Sequence, residues 1–172
     1  MANQQRELTL TGLAIALVTI TTMVVHIPIP ATQGFVNIGD TIIFTTAILF
    51  GRRMGFWAGG LGSALADLLL GYPQWAPWTL LIKGLEGWIV GTLGYSTVKK
   101  SPGHLGLAML PGTLWMVLGY YLVGGFIYGF KVAWIEIPGN LFQGSISILL
   151  AGLLIYSLQK IGSRHQGLPW RE

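Results

Sequence analysis

The sequence predicts an all-α membrane protein of six transmembrane helices with both termini in the cytoplasm. Of its 172 residues, 52% are hydrophobic and only 9% are charged, whereas a soluble domain usually has about 25% charged residues. Apolar runs of about 17–23 residues recur along the chain, and this length suits a bilayer span. We therefore predict one six-helix transmembrane domain over residues 1–172, with no room for a soluble domain.

The basic residues predict the topology. They fall in every second gap between the apolar runs, at Arg6, Arg52, Arg53, Lys99, Lys100, Lys160, Arg164 and Arg171. The alternate gaps near 26–38 and 71–77 hold no lysine or arginine, and the gap near 128–135 holds only Lys131. Loops rich in lysine and arginine stay cytoplasmic. The net charge of +4 thus reflects orientation in the membrane and does not indicate a nucleic-acid partner.

Proline and glycine place the first three helices. Helix one, at about 8–25, ends before Pro28 and Pro30, which cannot continue it, and a polar outward loop follows. Helices two and three, at about 39–50 and 54–70, each end at a glycine. Their lengths would be only about 18 and 26 Å, against roughly 30 Å of hydrocarbon. Short helices leave a depression, which we expect on the outward side.

The last three helices complete the bundle. Helix four covers about 77–98, helix five about 105–127 and helix six about 137–159. Pro77 and Pro138 suit first helical turns, where the missing N–H costs nothing.

Helix six has a polar face. Glu136, Asn140, Gln143 and Ser147 follow the spacing i, i+4, i+7, i+11, which is one side of a helix. Because lipid cannot satisfy such groups, we expect this face inside the bundle. Asn140 and Gln143 would bond the edge of a heterocycle, since a side-chain amide both donates and accepts. Interhelical hydrogen bonds are the alternative.

Charged residues lie on helices three and four at membrane depth. Lys83 and Glu86 lie about 9 and 13 Å below the outer end of helix four, at 1.5 Å per residue, and Asp67 lies near the outer end of helix three. Such ions are costly in lipid and usually functional. Lys83 could instead pair structurally with Glu86 or with Asp67. Asp40 and Glu136 each stand near a helix start, where a carboxylate could simply cap the helix.

Aromatic residues crowd the predicted outer end. Trp75 and Trp78 flank the polar faces, so we predict that they form stacking walls for a flat ring. Anchoring at the membrane interface is the alternative, because tryptophan collects there in any case.

Small residues recur at four-residue spacing, which lets helices approach closely. Gly55 and Gly59 on helix three are best explained by internal packing. Helix one has Gly12 and Ala16, with Ala14 beside them, and lacks polar partners there. We therefore expect this face to meet another protein.

Enzymatic and metal chemistry find little support in the sequence. There is no cysteine, no phosphate-binding loop, no H-E-x-x-H motif and no histidine at membrane depth. We predict no catalytic residue, no metal site and no cofactor. An intramembrane enzyme using Glu86 or Asp67 is a remote third hypothesis.

Three stretches of the chain resemble the membrane S components of energy-coupling factor (ECF) vitamin transporters. They are FVNIGD at 35–40, AGGLGSALADL at 58–68 and APWTLLIKGLEG at 76–87. The resemblance extends from helix one to helix six. It is greatest to the branch associated with hydroxymethylpyrimidine or pyridoxine-type substrates, often labelled riboflavin-transporter-like.

The resemblance implies a substrate-binding subunit in a prokaryotic plasma membrane. Such proteins capture a vitamin from outside and assemble, as a hetero-tetramer, with a transmembrane coupling protein and two cytoplasmic ATPases that hydrolyse the ATP. The first outer loop and helices four to six hold the ligand, which adds Asn37 to the expected site. A small-residue motif on helix one docks the coupling protein. Gly12 and Ala16 match it, although Val18 breaks a strict alanine pair.

Two alternatives follow from the same residues. The substrate within the family could be riboflavin or another water-soluble vitamin. A different class of protein, a stand-alone oligomeric transporter or channel, would move a small solute without ATP.

Overall fold

The computed structural model describes residues 2–97 and 102–164, and most of them are helical. In chain order the elements are α1 (Ala2–Val24), β1 (His26–Ile29), β2 (Gly34–Asn37), α2 (Asp40–Phe50), α3 (Arg52–Leu70), α4 (Ala76–Gly94), α5 (Pro102–Tyr128), α6 (Phe130–Ala133) and α7 (Glu136–Arg164). A short 3₁₀ turn at Tyr95–Thr97 follows α4. The six predicted helices correspond one to one to α1–α5 and α7, and α6 is an additional four-residue turn.

Among residues 2–97 and 102–164, three helical stretches are long and apolar enough to cross a membrane. They comprise Gln4–Val24, His104–Tyr128 and Phe130–Ile161. The helices α3 and α4 have 19 residues each but contain glycines and charged residues, and α2 has only 11 residues. The six-span count and the cytoplasmic termini therefore stay predictions. The basic residues Lys99, Lys100 and Arg171 used for that topology lie outside the described residues.

The segment between α1 and α2, which was expected to be an outward loop, is a β-hairpin, so the expectation of an all-α protein is wrong in this detail. Strands β1 and β2 pair antiparallel, with His26 opposite Asn37 and Ile29 opposite Gly34. Pro28 and the following Pro30 prevent helix formation here. Gln33 closes the turn with a φ of 49°, the left-handed region that a polar residue tolerates in turns. The hairpin lies across one end of the helix bundle.

Helix α2 is the central helix of the bundle. Nine of its 11 residues are buried, and it packs against α1, α3, α4 and α7. Ile43, Phe44 and Ile48 are completely buried in the main hydrophobic core. A helix with no lipid-facing side does not need the length of a membrane span, which explains why α2 is short.

Helices α3 and α4 pack with their backbones in close contact, as the small-residue spacing predicts. A Cβ on Gly59 would lie 2.5 Å from the Lys83 carbonyl oxygen, and one on Gly55 would lie 2.7 Å from the Gly87 carbonyl oxygen. No side chain fits at these points unless the two helices separate. This contact sets the position of Lys83 relative to α3.

We expect the substitution Gly59→Ala to lower the free energy of unfolding by about 1–3 kcal/mol, because overpacking a close helix contact forces a backbone shift. Gly12→Ala is the matched control, since a Cβ there would meet nothing within 4 Å. Thermal unfolding in detergent, followed by tryptophan fluorescence, measures both. Equal midpoints for the two variants would contradict the close contact.

The small residues of α1 do not share one surface. Gly12 and Ala16 are exposed, but Ala14 is 7% exposed and belongs to the hydrophobic core. Two helical positions that are two residues apart point about 160° apart at 3.6 residues per turn. The expectation that Ala14 lies on the same contact face is therefore wrong, and only the pair Gly12 and Ala16 is left for a partner.

Candidate ligand-binding site

A polar cavity lies beneath the β-hairpin, where the amino-terminal halves of α4 and α7 meet the carboxy-terminal ends of α1, α3 and α5. The cavity is small, with a volume of about 30 Å³. Its lining residues are Thr22, Ile29, Gly34, Phe35, Asn37, Ser63, Asp67, Trp75, Thr79, Lys83, Tyr120, Glu136, Asn140 and Gln143. Hydroxyls, carboxyls, amides, an amine and aromatic rings thus converge on one space, and convergent polar groups of this kind orient the ligand in small-molecule sites.

A buried ion cluster forms the floor of the cavity. Lys83 Nζ lies 2.5 Å from Asp40 Oδ1 and 3.0 Å from Glu86 Oε2, and all three side chains are at least 98% buried. Asp40 does not cap α2, because its helix has no side-chain capping bond. Of the two partners considered for Lys83, Glu86 is an actual one and Asp67 is not. The charge of Lys83 is therefore already offset by two carboxylates.

Gln143 ties the cluster to the hairpin. Its Nε2 donates to Asp40 Oδ2 at 2.7 Å, and its Oε1 accepts the Asn37 backbone N–H at 2.7 Å. Asn37 Oδ1 in turn accepts the Gly39 N–H at 2.7 Å. A carboxylate can only accept and a backbone N–H can only donate, so these partners fix the orientation of the Gln143 amide. Both ends of that amide are occupied within the protein.

Other polar groups at the cavity lack protein partners. Asp67 Oδ2 and Thr22 Oγ1 are buried and make no hydrogen bond with any described residue. Asn140 is 5% exposed and lines the same space. Buried polar groups are normally hydrogen-bonded. Unpartnered groups facing a cavity indicate a ligand or water that supplies the missing bonds.

Asp67 is held in place from its other side. Its carboxyl is hydrogen-bonded to Thr79, and Tyr120 donates its hydroxyl to Thr79 Oγ1 at 3.2 Å. The Tyr120 ring lies 5.7 Å from Lys83 Nζ, measured to the ring centroid. The chain Tyr120–Thr79–Asp67 thus leaves one carboxyl oxygen directed to the cavity.

Trp75 forms an aromatic wall, whereas Trp78 does not. Trp75 is 3% exposed and donates its Nε1–H to the Thr32 carbonyl at 3.2 Å. Its ring packs edge-to-face with the Tyr120 ring, with 5.7 Å between the ring centroids. Trp78 is 45% exposed and is not among the lining residues. Thr79 and Trp75 are four residues apart and share one face, while Trp78 is rotated by about 100° from Thr79.

The structure brings together six of the eight residues expected to bind the ligand. Asn37, Asp67, Trp75, Lys83, Asn140 and Gln143 line the cavity, whereas Trp78 and Glu86 do not. Glu86 belongs to the ion cluster at the floor, one helical turn from Lys83, without facing the cavity itself. The burial of Glu136, Asn140, Gln143 and Ser147 confirms that the polar face of the last helix points inward.

Three residues at the cavity or its floor, Asp40, Glu136 and Tyr120, were not among the residues expected to bind the ligand. Asp40 and Glu136 stand at the first positions of α2 and α7, where helix capping was an equally good explanation of a carboxylate. Glu136 could have been included, since it continues the face of Asn140. Tyr120 lies in an apolar, aromatic-rich helix without any polar periodicity, so no sequence signal distinguished it.

Comparison with known proteins gives a family and two informative relatives. The sequence pattern of the ECF-type riboflavin transporter S component family matches residues 2–160. An uncharacterized protein of Pyrococcus woesei is 47% identical over 143 residues, covering 83% of this chain and 95% of its own. The thiamine precursor transporter HmpT of Lactococcus lactis subsp. cremoris is 30% identical over 158 residues, covering 91% and 90% of the two chains.

Proposed function

The chain belongs to the S component family of ECF-type transporters, and from that premise we propose that it captures a hydroxymethylpyrimidine- or pyridoxine-like vitamin precursor from outside the cell. The observation that carries the proposal is the cavity with buried but unpartnered polar atoms, Asp67 Oδ2 and Thr22 Oγ1 among them. The similarity to a thiamine precursor transporter over nine tenths of both chains supports the substrate class.

The chemistry of the lining groups supports a small planar heterocycle as the ligand. Trp75 and Phe35 offer apolar ring surfaces, and flat rings stack well on such side chains. Asn140 can both donate to and accept from a ring edge. The hairpin would cover the ligand, and the Gln143 link to Asn37 would hold this cover in place.

The test is ligand binding by the purified protein in detergent. Hydroxymethylpyrimidine, pyridoxine, thiamine and riboflavin are compared by thermal shift and calorimetry. We expect hydroxymethylpyrimidine or pyridoxine to stabilise the protein, and Asn140→Ala to weaken that ligand about 10-fold by removing a hydrogen-bonding amide. The matched control is Ser145→Ala, on the exposed side of the same helix. Failure of every vitamin to stabilise the protein would refute the proposal.

The partners in this proposal are a transmembrane coupling protein and two cytoplasmic ATPases, with Gly12 and Ala16 on α1 as the docking face. Both residues are exposed, and a Cβ on Gly12 would meet nothing within 4 Å. Small residues at this spacing allow a second helix to approach closely.

We expect the double substitution Gly12→Leu and Ala16→Leu to leave ligand affinity unchanged while abolishing co-purification with the coupling protein, because the leucines would block close helix approach. Leu13→Ala and Leu17→Ala, also exposed on α1, form the control. Pull-down from cells co-expressing all subunits gives the readout. An intact complex of the double variant would refute the proposed docking face. Uptake of substrate by vesicles that contain this chain alone would favour a stand-alone transporter.

A further inference from the structure

The carboxyl groups at the cavity outnumber the cationic groups. Asp67 and Glu136 line it, and Asp40 and Glu86 lie at its floor. Among the residues described there, Lys83 is the single cation. Because Asp40 and Glu86 already pair with it, Lys83 has little charge left to offer a ligand anion.

Each of the two lining carboxyls has one side-chain partner, Thr79 for Asp67 and Thr32 for Glu136, which leaves capacity to accept hydrogen bonds from a ligand. Asp67 is 3% exposed, and its Oδ2 has no hydrogen-bond partner among the described residues. Glu136 is also 3% exposed, and its Oε1 lies so close to Gly34 that a Cβ there would be only 2.8 Å away. The missing side chain of Gly34 therefore lets the hairpin backbone pack close to this carboxyl group.

From this arrangement we infer that the site selects ligands by charge: it takes an amino-substituted or cationic nitrogen heterocycle that donates N–H groups to Asp67 and Glu136, and it rejects phosphorylated or carboxylated forms. The inference rests on the proposed function in taking this cavity as the ligand site. Charge-assisted N–H···O bonds to carboxylates are among the strong hydrogen bonds of proteins. An anion would instead face the like charge of these carboxylates, and such repulsion is an effective means of rejecting a wrong ligand.

Two matched pairs of probes test the inference. Benzamidine and benzoate have the same shape and opposite charge, and they do not depend on the identity of the vitamin. Hydroxymethylpyrimidine and its phosphate monoester form the second pair. Binding to the full chain in detergent is measured by calorimetry and ligand-detected NMR. We expect the cationic or neutral member of each pair to bind at least about 100-fold more tightly than the anion.

Substitutions locate the selectivity. Asp67→Asn and Glu136→Gln keep the shape of the side chains and should each lower the ratio between the paired probes about 10-fold. Glu7→Gln, on the exposed side of α1, is the charge control and should leave the ratio unchanged. Variants with parental thermal stability are compared, so that loss of folding is not read as loss of selectivity.

The outcomes separate the two proposals. Preference for benzamidine without binding of any vitamin would keep the charge selection and refute the proposed substrate class. Equal binding of hydroxymethylpyrimidine and its phosphate would keep the proposed function and overturn the charge selection. The charge selection would also be overturned if benzoate bound as tightly as benzamidine, or if neither bound. It would be overturned as well if neither substitution changed the ratio of affinities between the paired probes.

Discussion

Replacing Lys83 with methionine is expected to lower the free energy of unfolding by about 3–5 kcal/mol, because the carboxylates of Asp40 and Glu86 would stay buried without their cation. The three side chains are at least 98% buried, so water cannot take over the role of the amine. Methionine preserves most of the volume of lysine, which limits the contribution of a cavity. Thermal unfolding in detergent gives the measurement, with a midpoint lowered by on the order of 10 °C.

Neutralising all three residues of the ion cluster shows how much of the lost stability is due to unpaired charge and how much to altered packing. The triple variant Lys83→Met, Asp40→Asn, Glu86→Gln has no unpaired charge and should recover most of the lost stability, since a buried ion pair contributes little relative to a neutral replacement. Lys131→Met, at an exposed lysine of α6, should have no effect. A Lys83→Met variant as stable as the parent would show that the cluster is not held by this amine.

The same triple variant assigns Lys83 a role in binding. If it folds with parental stability and binds the ligand normally, Lys83 serves the structure alone. If it folds but binds more than about 10-fold more weakly, a loss typical of one hydrogen bond to a charged group, Lys83 contacts the ligand or positions the floor.

Replacing Gln143 with leucine is the second substitution with a large expected effect. It would leave the Asn37 N–H and one oxygen of Asp40 without their partners, and each unsatisfied buried group costs about 1–3 kcal/mol. Since Gln143 links α7 to the hairpin, we also expect faster hydrogen exchange of the backbone amides at 34–38 and weaker ligand binding.

Ser147→Ala is the matched control for Gln143→Leu. Ser147 lies one turn further along the same buried face, and its hydroxyl has no hydrogen-bond partner among the described residues. Its removal should leave both stability and hairpin exchange unchanged. Equal exchange of residues 34–38 in the two variants would mean that Gln143 does not hold the hairpin.

Most of the helices could be predicted from the sequence because the signals that define them are local. Apolar runs, prolines and glycines place the six long helices, with differences of a few residues at their ends. The hairpin was missed because its strands are only four residues long and include prolines, which weakens the strand pattern. The buried α2 resembled a short span, since hydropathy does not distinguish lipid from the inside of a bundle.

The sequence by itself determined that the chain has a polar face on its last helix, charged residues at membrane depth and glycines where α3 meets α4. These features depend on spacing along one helix, which the sequence contains in full. Only the tertiary structure decided that Lys83 pairs with Asp40, that Gln143 reaches Asn37 and that Trp78 points away from the cavity. The first two contacts join residues that are far apart in the sequence, by 43 and by 106 positions. The orientation of Trp78 depends on how its helix is rotated in the bundle. Both are set by long-range packing, because burial of the whole of α2 fixes where its first residue lies.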